Sequence, residues 1–550
     1  MEAFRQRVLA LTHDLARIRS DNPEGQRKAA ARLLQEVIAI PYFAAHPECA
    51  RLVKTGSGSG ELHSVLALYR EPFAAGTRAA VVFGGHLDTV GVEQAARRTG
   101  IAEAAFFAPD GLPELLRPAL APDADLQADL ASGEWMCGRG VFDMKGGCAV
   151  AVELLRHLTQ CGFPWNVVLL ITADEERESA GIKSALPELA QLAGEGFDFR
   201  LLLNFDYTSP LAPGDGSAYV YTGTIGKLLL GVTVQGDETH AGAPFEGVNA
   251  AALLAAILAH LEGNPKLTQH VKGDFTPPPA VLCADARQEK YAVTTPAYAR
   301  GYVNVFFARH NYREYLREVA NEVRRACRLH YQQLKRRYQR MVARADLQLL
   351  HRLVRPEVIT YSTLITRLGK LPRAAEPAAA YSVPGEAAEP RLACLEAAER
   401  ALQKLAPARP TVVLSLLPPL YIPYTMADDA EAKPLLAAAR ELARNWHGPP
   451  PVKHLRQRNY YPYISDLSFA VLPTDGLLAP LLAECPLPEL LALPVAEHRV
   501  RMPVMNLGPW GKDAHRAAER VHVPFLTRDL PRMCLRLLGQ LAGTRLPEPE

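Results

Sequence analysis

Residues 167–181 read VVLLITADEERESAG, an apolar run of five residues that breaks at once into Thr172, Ala173, Asp174, Glu175 and Glu176. So short a run of Val, Leu and Ile predicts a strand buried on both faces of a sheet, because a half-exposed strand would alternate apolar with polar positions. Such strands deliver their polar residues at the carboxyl end, where open α/β sheets place their ligand sites. Three adjacent carboxylates there repel one another unless a positive charge sits among them. The competing reading is a solvated acidic turn starting the helix after Ser179, since acidic groups favour a helix N-terminus. The stretch alone does not choose between the two.

Other segments repeat the pattern. The apolar residues 79–83 predict a strand that runs into Gly84, Gly85, His86, Leu87 and Asp88, so an imidazole and a carboxylate two positions apart project the same way. By itself such a His is ordinarily a hydrogen-bonded turn residue. Residues 199–203 predict another strand, which ends in Asn204, Phe205 and Asp206. Gly138 to Gly147, GRGVFDMKGG, leads into a helix at 148–158. A glycine-rich loop entering a helix suits a phosphate. Here the GxxxxGK[ST] order is absent and Asp143 sits at the centre, which suits a cation. Residues 90–136 read as a long Pro/Ala-rich loop inserted beside these segments.

At 550 residues the chain exceeds one hydrophobic core, so two or more domains are expected. Lys plus Arg number 61 against 59 for Asp plus Glu, which gives no electrostatic case for nucleic acid or an anionic membrane. A small-molecule substrate is the expected partner. The nine cysteines form no CxxC pair, which argues against a disulfide framework or a cysteine zinc site and fits a reducing cytosol. The N-terminal twenty residues carry charges every few residues with apolar positions at helical spacing, which predicts an amphipathic helix unlike a signal peptide, and no stretch of about 18 apolar residues follows. A soluble, cytoplasmic protein is expected.

The texture changes at Tyr221, and residues 221–425 are expected to form an inserted α+β domain between 1–220 and 426–550. It carries His240 in a turn before the helix 249–261, Asn304 in the strand 302–307 as a substrate contact on position alone, and a basic helix over 312–344 that reads as a solvated face. Residues 376–389, rich in Ala, Pro and Glu, predict a loop. Residues 460–469, YYPYISDLSF, bring Tyr463 and Asp466 to a substrate pocket, with an aromatic core strand as the alternative.

His86, Asp143, Glu176, Asp206 and His515 make an oxygen-rich set with two imidazoles, suited to a pair of zinc, manganese or cobalt ions sharing one carboxylate. Two ions about 3.5–4 Å apart acidify a shared water and polarise a carbonyl, which is hydrolytic chemistry. The motifs HLD at 86–88, GRGxxDMKGG at 138–147, DEE at 174–176 and HAGxPxxGxNA at 240–250 resemble the M20 family of metallopeptidases and amidohydrolases. GPWGKDAH at 508–515 and the 460–469 segment are similar to a longer branch associated with bacterial arginine utilisation.

The resemblance implies an α/β catalytic domain with a mostly parallel central sheet flanked by helices, plus an inserted α+β lid and dimerisation domain. It implies a first divalent ion on His86, Asp143 and Asp206, and a second on Asp143, Glu176 and His515. Asp88 would accept the second ring N–H of His86. Glu175 would act as general base, and His240 would reach the partner subunit's site in a homodimer. The Asp143–Met144 peptide would be cis. The expected activity is hydrolysis of an amide or peptide bond in a small amino-acid-derived, arginine-related substrate. Two further readings stand beside it: a catalytically silent relative that binds an arginine-like metabolite or a protein, and an anion-binding module on 138–147.

Overall fold

The computed structural model describes residues 2–56, 60–286, 292–309, 312–345, 353–370, 389–473, 475–494 and 496–549. The chain divides into two compact units: Met1–Thr224 with Tyr424–Leu472 and Pro494–Glu550, and Ile225–Pro423 with Pro473–Leu493.

The first unit is an α/β structure built on an eight-stranded sheet. Its spatial order is Ala50–Thr55, Leu62–Tyr69, Asn166–Thr172, Ala79–His86, Asp198–Asn204, Val504–Asn506, Ser217–Tyr221 and His454–Arg458. The three central pairings and the last one are parallel, while the first two strands join antiparallel, as does Val504–Asn506 to Ser217–Tyr221. Every position of Asn166–Thr172 is buried, as the unbroken apolar run 167–171 within it requires. Helices Pro23–Ile38, Lys145–Gln160, Ala180–Glu195 and Lys433–Asn445 flank the sheet, with Glu2–Ala16 on Lys145–Gln160 and Leu530–Ala542 on Lys433–Asn445.

Register decides where the polar residues emerge. His86 pairs with Thr172 and Gly84 with Asn204, so two of the parallel strands finish level and the third stops two residues earlier, and all three release their following residues at one sheet edge. Two glycines allow the close approach this needs. A Cβ on Gly147, in the first turn of Lys145–Gln160, would lie 2.1 Å from the Phe205 carbonyl oxygen, and one on Gly508 would lie 2.0 Å from that of Asp206.

Residues 90–136 are not the loop their composition predicts. They contain helices Glu93–Thr99, Leu112–Ala119 and Ala124–Ser132, which enclose a small core of Phe106, Leu112, Leu116, Leu126 and Leu130. The apolar pairs Leu112/Leu116 and Leu126/Leu130 have helical spacing, and it outweighs the prolines.

The second unit is α+β. Its five-stranded sheet runs Ala280–Asp285, Tyr298–Phe307, Gly226–Gln235, Thr411–Tyr421 and Glu357–Thr360, antiparallel except for the last pair. Helices Ala250–Leu261, Tyr312–Ala345 and Pro390–Leu405 belong to it. So does Pro473–Leu493, which the sequence reading assigns to the other domain: the Leu416 N–H donates to the Glu484 carbonyl (2.7 Å) and Ser362 Oγ to the Glu484 carboxylate (2.6 Å). Of the expected 376–389 loop, 376–388 lie outside the described residues, and Glu389 caps Pro390–Leu405 by accepting from the Leu392 N–H. None of the nine cysteines, all of them among the described residues, is in a disulfide. Among the described residues no helix is long and apolar enough to cross a membrane.

Candidate active site

Asp143, on the loop before Lys145–Gln160, is the hub of the cluster at the sheet edge. Its Oδ2 lies 2.9 Å from His515 Nε2 and its Oδ1 3.3 Å from His86 Nε2. His515 Nε2 also lies 2.9 Å from Glu176 Oε1. Ligand atoms of His86, Asp143 and Glu176 fall within 4.8 Å of one another. His86 and Asp143 are buried, whereas the His515 side chain is 44% exposed, so the cluster opens to solvent on its side. The Asp143–Met144 peptide is cis, as the resemblance implies.

Burial pushes the Asp143 carboxyl up, but the bonds from His515 and His86 outweigh it and hold the group below the ordinary carboxylate range. The imidazoles respond in kind: against the opposing effect of burial, the surrounding carboxylates raise His515 to about 11 and His86 well above its ordinary value.

Glu175 is buried, and its Oε1 has no hydrogen-bond partner among the described residues. Its Oε2 lies 3.9 Å from His86 Nε2. Burial, with the neighbouring Asp466, Asp206 and Glu176, raises its pKa well above the usual range despite His86. Asp206 is raised to about 7 by burial and by the charge of Asp143. Its backbone is fixed on both sides by Asn506, whose Oδ1 accepts the Asp206 N–H (3.1 Å) and whose Nδ2 donates to the Asp206 carbonyl (2.8 Å).

Asp88 does something the sequence reading did not anticipate. The His86 Nδ1 contact within hydrogen-bond range is to the Asp88 backbone carbonyl (3.1 Å), with the carboxylate at 3.5 Å. The carboxylate accepts the backbone N–H groups of Glu175 (3.1 Å) and Glu176 (3.0 Å). Asp174 turns the chain to make this possible, through a left-handed φ of 64°. Asp88 therefore orients the acidic loop as well as the imidazole.

Asp466 accepts from Thr172 Oγ1 at 2.7 Å, at the end of the central strand. Tyr463 is 38% exposed and packs on Tyr207 and Tyr461, with ring centroids 5.1 and 5.4 Å apart, so an aromatic wall stands beside the carboxylates. His240 and Asn304 belong to the second unit. His240 is exposed and its Nδ1 accepts the Gly242 N–H (3.0 Å). Asn304 is buried in Tyr298–Phe307 with Oδ1 unpartnered among the described residues.

Three buried residues beside the cluster escaped the reading of the sequence. Glu519 accepts the backbone N–H groups of Gly140 (2.7 Å) and Asp143 (3.3 Å) and pairs with Arg139. Lys145 donates to the Ile18 carbonyl (2.8 Å), and burial lowers its pKa to about 7. Arg139 and Lys145 flank Asp143 and Glu519 follows His515 by four, but only the folded chain joins them.

Residues 82–470 match the sequence pattern of Peptidase family M20/M25/M40. Protein RocB of Bacillus subtilis (strain 168) is 29% identical over 537 residues, covering 96% of this chain and 93% of RocB. YqjN of the same organism is 28% identical over 539 residues, covering 95% and 94% respectively. The crystal structure of aminopeptidase PepT from Bacillus cereus ATCC 10987 aligns with a TM-score of 0.51 at 11% identity, over 98% of this chain and 99% of that one, a likeness of fold.

Proposed function

The chain belongs to Peptidase family M20/M25/M40 and is a metallohydrolase of that type, and from that premise we propose that it uses two divalent ions to cleave an amide or peptide bond in a small amino-acid-derived substrate. One observation carries this: His86, Asp143, Glu176 and His515 converge from four separate segments, with Glu175 and Asp206 beside them.

The donor set fits cations. Asp143, Glu175, Glu176 and Asp206 outnumber the two imidazoles, and a buried carboxylate oxygen of Glu175 is unpartnered among the described residues, an arrangement that added positive charge relieves. His86, Asp143 and Asp206 would hold one ion, and Asp143, Glu176 and His515 the other, with zinc, manganese or cobalt all suited to this mixture of nitrogen and oxygen donors. Bound there, the pair supplies charge that acidifies a water and polarises the scissile carbonyl. Glu175, presented by the Asp88 carboxylate beneath its N–H, takes the proton of the attacking water and returns it to the leaving nitrogen. Tyr463 and Asp466 are assigned to substrate contact, as is Asn304.

We further assign the protein to the cytoplasm and to a homodimer in which His240 of the partner subunit stabilises the oxyanion. That the substrate is arginine-related is part of the same proposal and rests on the motif resemblance of residues 508–515 and 460–469. The test is metal content per chain followed by a screen of N-acyl amino acids and dipeptides, arginine derivatives included. Cleavage by the two-ion form is expected. A fully metallated protein that cleaves none of them would instead favour a silent relative that binds an arginine-like metabolite or a protein.

A further inference from the structure

The Asp143 loop and the His515 turn are 372 positions apart in the sequence, yet their side chains meet at 2.9 Å. The contact between the side chains does not by itself fix the two backbones. Beneath it lies a second connection made of buried groups. Glu519 Oε1 accepts the N–H groups of Asp143 and Gly140, and Glu519 Oε2 accepts from Arg139 Nη1. Arg139 Nη2 donates to the carbonyls of His515 (3.1 Å) and Arg516 (3.4 Å). The Gly138 N–H closes the link by donating to the Glu519 carbonyl (3.0 Å). Both side chains are about 2% exposed, so solvent does not compete for these bonds.

We infer that Arg139 and Glu519 are positioning residues that set the separation of Asp143 and His515, and through it the affinity of the site those two share with Glu176. The inference rests on the two-cation reading above. Neither residue is one of the assigned donors, and each binds backbone atoms of the segments that carry them. The pair joins the two backbones through a planar guanidinium fork, a geometry that an ammonium group does not reproduce. The first ion, on His86, Asp143 and Asp206, draws His86 and Asp206 from strand ends held by the sheet register and by Asn506, so it depends less on this link. The link therefore distinguishes the two ions.

The experiment titrates the cation-free full-length protein with Zn²⁺ by calorimetry and with Co²⁺ by visible absorption, for wild type, Glu519→Gln and Arg139→Lys. The wild type is expected to take up two equivalents. Both variants should bind the second about 10- to 100-fold more weakly and the first with a clearly smaller loss, since Asp143 serves both, with the larger change of Co²⁺ spectrum at the second equivalent. Arg139→Lys retains the charge and decides the matter if Glu519→Gln does not fold. Two equivalents bound by either folded variant with wild-type affinity and spectrum would overturn the inference, as would equal weakening of both ions. A wild-type protein that takes up one equivalent only would overturn the two-cation reading itself, and this inference with it.

Discussion

Glu175 ends in a buried oxygen with no partner among the described residues, while the neighbouring Glu176 already contacts His515. The two carboxylates therefore answer differently to the same change. Glu175→Gln should lower kcat by at least about 10²-fold, within the 10²–10⁴-fold that general acid–base groups supply, while metal content and fold stay near normal. Glu176→Gln removes a donor charge and should weaken uptake of the second ion. Steady-state kinetics alongside metal analysis separates the two, and near-normal turnover by Glu175→Gln would end its assignment as base. The position of Glu175 and Glu176 just beyond a buried strand was legible, because the apolar run 167–171 sets it. That Asp88 holds both by their backbone N–H groups was not, since a side chain bonding to a main chain 87 positions away leaves no pattern in either segment.

The elements that carry the site depend on close backbone contact. Asn506, at the end of Val504–Asn506, exchanges two hydrogen bonds with the Asp206 backbone, both buried. Asn506→Ala should destabilise the protein by about 1–3 kcal/mol for each group left unpaired and should impair first-ion binding. A thermal midpoint and zinc stoichiometry equal to wild type would refute this. Gly147→Ala places a methyl group 2.1 Å from a carbonyl oxygen, so the first turn of Lys145–Gln160 must shift away from Asp206. Lower stability joined to lost metal uptake is the expected result, and unchanged calorimetric unfolding and metal content would count against it. The helices within 90–136 show the limit of composition as a guide. Their prolines suggested a loop, but Pro113 lies in the first turn of Leu112–Ala119, where its missing N–H matters little.

On the scale of the whole molecule the cluster is a store of unbalanced charge. Burial and the charge of Asp143 raise Asp206 from 3.8 to about 7, and burial raises Asp174 and Asp466 to about 6. A carboxyl whose folded pKa is raised favours the fold below its unfolded pKa, and that contribution is lost as pH climbs through the folded value. Asp143, shifted downward, keeps its own contribution across this window. Chelator-treated protein should therefore lose thermal stability between pH 4 and about 7 relative to the ion-loaded form, and zinc or manganese should restore it. A metal-induced shift in Tm that does not grow over this range would contradict the account. If His240 acts across a dimer, mixing inactive Glu175→Gln with inactive His240→Ala should regenerate activity, because one heterodimer site then holds both intact residues, and no recovery after subunit exchange would exclude the arrangement. The sequence by itself determined the central strands, since apolar runs leave a strand no partly solvated alternative, and it named His86, Asp143, Glu176, Asp206 and His515 as candidates, since His, Asp and Glu are the residue types that suit such chemistry. Only the tertiary structure decided which donors meet, what Asp88 holds, how Arg139 and Glu519 join two distant backbones, and that Pro473–Leu493 packs on the second unit. Those outcomes depend on hydrogen bonds and packing between segments hundreds of residues apart, and local periodicity carries no record of them.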